Sequence, residues 1–263
     1  MPTDPSHAPP RRGPLTGEVG PAGRPAISVV LPVYDEAQVL ERNLAALVQF
    51  LETLRRSFEV VCVNDGSKDA SARILDDAAA RDPRIVVDHL AKNRGKGAAV
   101  RRGMQLARGD FQVFMDADLS TPLAELHGFL GALESGYDVV LGNRRSPGSR
   151  IDRRQPRLRE WLGRGFTLIT RTLLAPGVQD FTCGFKGFRR AASESIFARS
   201  SLDGWAFDAE LVVIADVQGF KLVQVPVRWQ HEDDTKVRLL NAVFGSAVEL
   251  ARIRFKRLRG DYR

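Results

Sequence analysis

Short β-branched runs alternating with helix-spaced leucines restrict this chain to an α/β architecture. Ile27-Ser28-Val29-Val30-Leu31 ends at Pro32 and is followed by Leu40, Leu44, Leu47, Leu51 and Leu54 on one helical face. The pattern repeats. Phe58 to Val63 precedes a helix through Ala72, Ile74, Leu75 and Ala78, and Ile85 to Val87 precedes one over Ala98 to Ala107. Phe111 to Met115 and Tyr137 to Gly142 supply further strands. Strands apolar at successive positions are buried on both faces, which predicts a mostly parallel central sheet flanked by helices in a single domain. Such a sheet gathers the loops that follow its strands along one edge, where ligands bind.

Changes of texture set the expected boundaries. Residues 1–25 are rich in Pro, Gly and Arg and lack large apolar side chains, which predicts a disordered N-terminal tail. Residues 26–236 form the expected catalytic domain. Residues 237–263 read as a basic C-terminal helix, ending in Arg252, Arg254, Lys256, Arg257 and Arg259. The formal net charge of +7 suits an anionic partner, whether nucleic acid, anionic lipid or a phosphorylated substrate. Cys62 and Cys183 have neither disulfide nor zinc spacing and read as reduced thiols. No run reaches the ~18 apolar residues of a spanning helix, and the N-terminus lacks a signal-peptide core. Work at a membrane would therefore be peripheral, at its cytosolic face.

Three of the strands end in acids. Asp116-Ala117-Asp118 can turn both carboxylates to one site, and Mg²⁺ is held in this way by one or two carboxylates plus substrate phosphates. Alone, the motif also fits an acidic turn before a helix beginning near Pro122. Asp35-Glu36 and Asn64-Asp65 can accept from a base ring N–H or from ribose hydroxyls, though Asp65 equally fits an Asx-turn before Gly66. Gly95-Lys96-Gly97 lacks the third glycine of a dinucleotide fingerprint and is no P-loop; it reads as a loop near the base, with Lys96 or Arg94 close to the nucleotide. Arg144, Arg145, Arg150, Arg153, Arg154, Arg157, Arg159 and Arg164 face only Asp152 and Glu160 in their stretch, a composition suited to gripping phosphate.

Pro32-Val33-Tyr34-Asp35-Glu36, Asn64-Asp65-Gly66-Ser67-Lys68-Asp69 and Asp116-Ala117-Asp118-Leu119-Ser120 resemble, in order and spacing, the family 2 glycosyltransferases of GT-A fold. Downstream, Gly142-Asn143-Arg144, Asp180 to Lys186, Gly204 to Glu210 and Thr235-Lys236 are similar to the dolichyl- and polyprenyl-phosphate sugar synthases, and most of all to the dolichyl-phosphate β-glucosyltransferases. The resemblance implies that Pro32, Tyr34, Glu36 and Asp65 line the base and ribose. It implies that Asp116 meets the ribose or the metal and that Asp118 binds the metal, Mg²⁺ or Mn²⁺. Arg144 would meet the acceptor phosphate, with Arg159 as a looser second contact because Gly163 stands where related mannosyl enzymes often have serine. Ser120, where those enzymes often have Gln, favours a donor other than GDP-mannose.

The implied reaction is inverting transfer of a hexose, led by glucose from UDP-glucose, to a polyprenyl or dolichyl phosphate. GDP-mannose and a UDP-N-acetylhexosamine are the alternative donors. A phosphate monoester is already largely dianionic at neutral pH, so it needs aiming more than deprotonation. Asp208 would then position sugar or acceptor, with base catalysis or capping of its own helix as other readings. His231 stays outside the catalytic set. The basic C-terminal helix would rest on anionic lipid headgroups. Rival readings are a transferase with a soluble acceptor and a nucleic-acid-binding module. The latter calls for aromatics among the basic residues, and Trp161 and Phe166 are too few, so no nucleic-acid partner is expected.

Overall fold

The computed structural model describes residues 23–153, 165, 170–172, 174–175, 177–230 and 239–263. The alternation read from the sequence is present: β1 (Ile27–Val33), α1 (Ala37–Thr53), β2 (Phe58–Asn64), α2 (Ser71–Arg81), β3 (Ile85–His89), α3 (Lys96–Leu106), β4 (Phe111–Phe114), α4 (Glu125–Glu134) and β5 (Val139–Asn143). Beyond it come β6 (Arg150–Arg153), β7 (Lys186–Arg189), α5 (Arg190–Arg199), α6 (Phe207–Val217), β8 (Leu222–Pro226), β9 (Arg228–Gln230) and α7 (Leu239–Arg259).

Among the described residues seven strands form one sheet in the order β3-β2-β1-β4-β7-β5-β8, while β6 and β9 pair separately. β1, β2, β3 and β4 run parallel, and β5 is parallel to β8. β7 lies antiparallel between β4 and β5. Strand order reverses where β4 returns to the far side of β1. The loops after β1 and β4 diverge there, leaving the crevice in which open α/β sheets hold ligands.

Both faces of the sheet are covered, which explains why apolar residues occupy successive strand positions. Val30, Val61 and Phe114 face a core shared with Val100 and Met104 of α3, Ile196 of α5 and Val213 of α6. Val29, Leu31, Val60 and Val113 face the opposite core, filled by Leu40, Leu44 and Leu47 of α1 and by Leu126, Phe129 and Leu133 of α4. There Phe129 meets Phe185 edge to face at 4.5 Å between ring centres.

The C-terminal helix is packed against this domain. Leu250 and Ile253 are buried in the core that includes α6. The Tyr262 hydroxyl donates to buried Glu210 at 2.9 Å, and Arg257 donates to the Leu174 carbonyl and to Asp216. At the other end of the described residues, Asp110 N donates to the Pro25 carbonyl and Arg24 pairs with the Asp110 carboxylate. The expected tail otherwise lies outside the described residues. Removing the buried Tyr262 ring should destabilise the domain by about 3–5 kcal/mol in Tyr262→Ala, and deleting only the hydroxyl in Tyr262→Phe by about 1–3 kcal/mol. Urea denaturation reads both, and an unchanged midpoint for Tyr262→Ala would show that the C-terminus is no part of the core.

Candidate active site

Two charged clusters meet at the edge where β1, β4 and β5 end. On the first, Asp116 and Asp118 follow β4. Leu119 adopts a left-handed backbone (φ 55°), a sharp turn in which Asp118 accepts from Ser120 N at 2.9 Å. Lys96, the first residue of α3, forms an ion pair with Asp116. What aims Lys96 is the loop before it. The buried Asp65 carboxylate accepts from Arg94 N at 2.7 Å and Gly95 N at 2.8 Å, fixing that loop to the end of β2. Gly95 is left-handed (φ 106°), and a Cβ there would stand 2.5 Å from the Asp203 carbonyl oxygen. The Gly-Lys-Gly sequence thus serves a close backbone approach to residues 202–203, closed by Gly97 N donating to Asp203 O at 2.9 Å.

The electrostatics of this cluster are lopsided. Burial works to lower the Lys96 pKa, yet Asp116, Asp208 and Asp118 together hold it above the ordinary lysine value. Burial and then the charge of Asp116 raise Asp118. Burial also raises Asp208 and Asp65, against the pull of the lysines on the former and of the Arg94 and Gly95 N–H groups on the latter. More negative charge is gathered here than one lysine offsets. Two hard oxygen donors on a single turn, one already steadied by Lys96, fit a divalent cation. Among the described residues no group of three or more His, Cys, Asp or Glu side chains forms a metal cluster, so further ligands would be phosphate oxygens and water.

The second cluster surrounds Arg144, just past β5. Its Nε and Nη2 donate to the two Asp180 oxygens at 2.8 and 2.9 Å, its own N–H adds a 3.1 Å bond, and Nη2 also reaches Thr182 Oγ1 at 2.9 Å. The Trp229 ring lies 5.5 Å from the guanidinium carbon. Burial alone would raise Asp180, but the Arg144 charge and bonds hold its carboxyl at about 2. Arg144, which burial would lower, is held well above its usual range by Asp180 first, with Asp116 contributing at longer reach. The two clusters are therefore electrostatic neighbours.

The segment Asp180 to Lys186 joins them. A Cβ on Gly184 would collide with the Asp116 carboxylate, so only glycine lets this segment lie against the acid. Lys186 sits wholly buried in a central strand, donating to Phe181 O at 2.9 Å, Cys183 O at 2.6 Å and Asp208 Oδ1 at 2.6 Å. One ammonium thus fixes the loop that carries Asp180 and the helix start that carries Asp208.

Of the residues anticipated from sequence, Lys96, Asp116, Asp118, Arg144 and Asp208 converge. Pro32, Tyr34 and Glu36 lie half-buried at the same edge, at the end of β1 and just beyond it. Asp65 sits at the end of β2 at this edge, and each of its oxygens accepts one N–H of the Lys96 loop. Asp208 does not cap its helix, whose N-cap is Ala206; its carboxylate is engaged by Lys186 instead. Asp35 ties the loop after β1 to the loop after β2, accepting from Lys68 N. Arg159, Trp161, Phe166, His231 and Lys236 lie outside the described residues. Sequence reasoning assigned no role to Asp180, Thr182 or Lys186, although an acid, a hydroxyl and a lysine within seven residues signalled a polar network. Both thiols are buried, which pushes Cys183 up to about 11 and Cys62 to about 12 and leaves them unreactive.

Comparison with known proteins agrees with this geometry. Residues 28–197, well over half of the chain, match the family described as Glycosyl transferase family 2. Glycosyltransferase AglD of Haloferax volcanii is 35% identical over 86% of this chain, which spans only 36% of AglD. The dolichyl-phosphate beta-glucosyltransferase of Dictyostelium discoideum is 30% identical over 90% of this chain and 76% of that protein. Among solved structures, glucosyl-3-phosphoglycerate synthase from Mycobacterium tuberculosis, in complex with Mn²⁺, UDP-glucose and phosphoglyceric acid, superposes with a TM-score of 0.64 at 21% identity, covering 89% of this chain and 80% of that one. The arrangement is the GT-A fold that the sequence resemblance implied.

Asp180→Asn should leave the Arg144 guanidinium buried without its counter-charge and cost about 3–5 kcal/mol. The sign with pH follows from the depressed carboxyl. Its contribution, about 2 kcal/mol, is present above about pH 4 and fades as pH falls toward 2, so the parent's urea midpoint should fall more steeply than the variant's in that window. Parallel midpoints would contradict the pairing.

Proposed function

Since the chain belongs to glycosyl transferase family 2, we propose that it transfers a hexose from a nucleoside diphosphate, glucose from UDP foremost, to a polyprenyl phosphate. The observation that carries the reading is the juxtaposition of an excess-carboxylate turn at Asp116–Asp118 with an arginine held rigid at Arg144. The relatives named for dolichyl-phosphate glucosyl transfer support the acceptor class. On the donor side Pro32, Tyr34, Glu36 and Asp65 would line the base and ribose, with Lys96 and Asp116 toward the phosphates.

Asp116 and Asp118 would hold Mg²⁺ or Mn²⁺, which when bound offsets charge on the departing nucleoside diphosphate. The chain's own residues do the rest by positioning. Lys96 steadies Asp116, and Asp65 keeps the Lys96 loop in place. Arg144 offers a planar cation to the acceptor phosphate, and its fixed geometry removes the entropy cost of ordering it at each turnover. The acceptor is already ionised, so no side chain has to take its proton. Asp208, neutralised by Lys186, acts as a positioning residue for this floor of the site. Attack in line on the anomeric carbon inverts configuration and needs no covalent enzyme intermediate.

No helix among the described residues is long and apolar enough to cross a membrane. We assign the enzyme to the cytosolic face of a membrane as a peripheral protein, its catalytic domain of residues 26–236 packed against the C-terminal helix. With UDP-glucose, Mn²⁺ and a short-chain polyprenyl phosphate, the purified chain should form glucosyl phosphoprenol, and EDTA should abolish it. Asp118→Asn should lower kcat on the order of 100-fold or more, whereas Arg144→Lys should raise KM for the prenyl phosphate at least about tenfold with little change for UDP-glucose. GDP-mannose, a UDP-N-acetylhexosamine and soluble alcohol acceptors complete the panel. Turnover of a soluble alcohol with none on prenyl phosphate would overturn the acceptor assignment.

A further inference from the structure

Of the five large apolar side chains exposed among the described residues, four gather around α7. Val248 is 56%, Phe255 59% and Leu258 70% exposed, and Trp205 is 44% exposed. Val248, exposed Ala251, Phe255 and Leu258 follow one another at spacings of three and four, so they share the outward face of the helix. Leu250 and Ile253 turn inward and anchor it. Trp205 belongs to the same neighbourhood. It stands between Gly204, whose Cα faces the Glu249 carboxylate, and Ala206, whose N–H donates to that carboxylate at 3.0 Å.

The stripe is flanked by cations. Arg252 and Arg254 are exposed beside it, and Arg259 stands with its guanidinium carbon 5.4 Å from the Phe255 ring. Between Val248 and Arg263 there are six Lys or Arg residues and two Asp or Glu. An apolar stripe edged by arginines is the composition of a helix that lies in a bilayer interface. A second copy of this chain would set arginine against arginine, whereas anionic headgroups meet that charge with its complement.

We propose that the outward face of α7, extended by Trp205, docks on the surface of an anionic phospholipid bilayer. Its purpose, bringing the site to a lipid acceptor, rests on the prenyl-phosphate reading; the surface itself does not. The docking face borders the site through one short relay. Glu249 caps the loop at Ala206, and Asp203 of that loop accepts from Gly97 N and pairs with Arg94 and Arg101, next to Lys96.

Flotation of the full chain with phosphatidylcholine vesicles, with and without phosphatidylglycerol, tests this. The parent should float with the anionic vesicles, less so at high salt, and stay behind with neutral ones. The double variant Phe255→Ser and Leu258→Ser should lose at least about tenfold in partitioning while keeping the parent's circular dichroism and its transfer to short-chain acceptor in detergent. Trp205→Ser gives an independent second measure. Equal flotation of parent and variants would overturn the proposal, as would a parent dimer in light scattering that the double variant dissociates. Absence of transfer with every donor would sink the catalytic reading and leave the flotation result standing.

Discussion

The ammonium of Lys186 is the interaction on which the site depends. A lysine in the middle of a sheet is costly to bury unless it is fully paired, and here two carbonyls and a carboxylate supply the pairing. The two carbonyls belong to the segment that carries Asp180, and the carboxylate belongs to the helix that begins beside Lys96. The segment carrying Asp180 and the helix start carrying Asp208 are therefore held by the same buried charge. Loss of one partner would leave an uncompensated ion in the core, which makes the arrangement rigid.

That rigidity suits the chemistry proposed. Glycosyl transfer to a phosphate needs little proton movement, so catalysis rests on holding an anionic nucleophile and an anionic leaving group in line without mutual repulsion. The edge answers with an alternation of charge: Lys96 on Asp116, Asp180 on Arg144, Lys186 on Asp208. Each functional group has a fixed counterpart behind it, and the carboxylate surplus is confined to the turn where a cation fits.

The sheet was legible because its strands are buried on both faces, so apolar residues occupy successive positions, with Ser28, Glu59 and Gln112 forming one buried polar row near the strand starts. β7 was not, since Lys186-Gly187-Phe188-Arg189 has a lysine and a glycine where a central strand ordinarily has β-branched residues, and its lysine is satisfied by two carbonyls of the preceding loop together with Asp208 from another element. The acids at strand ends could be placed at one edge but not sorted by role. Asp65 and Asp116 look alike in sequence; one braces a loop across 29 residues and the other pairs with Lys96, a distinction set by tertiary contacts. Arg144 was visible as a phosphate-gripping arginine, while the aspartate that aims it, 36 residues on, was not. The C-terminal segment read as a basic helix, and only the packed structure separates its inward Leu250 and Ile253 from its outward Phe255 and Leu258.

The central claim is that the Asp116–Asp118 turn holds a divalent cation together with the donor's diphosphate. Titration calorimetry of UDP into the chain, with and without Mn²⁺, tests it most directly. UDP should bind tightly only with Mn²⁺, and Asp118→Asn should bind it weakly whether or not the metal is present. Equal UDP affinity with and without Mn²⁺ in the parent, or an undiminished metal effect in Asp118→Asn, would contradict the account.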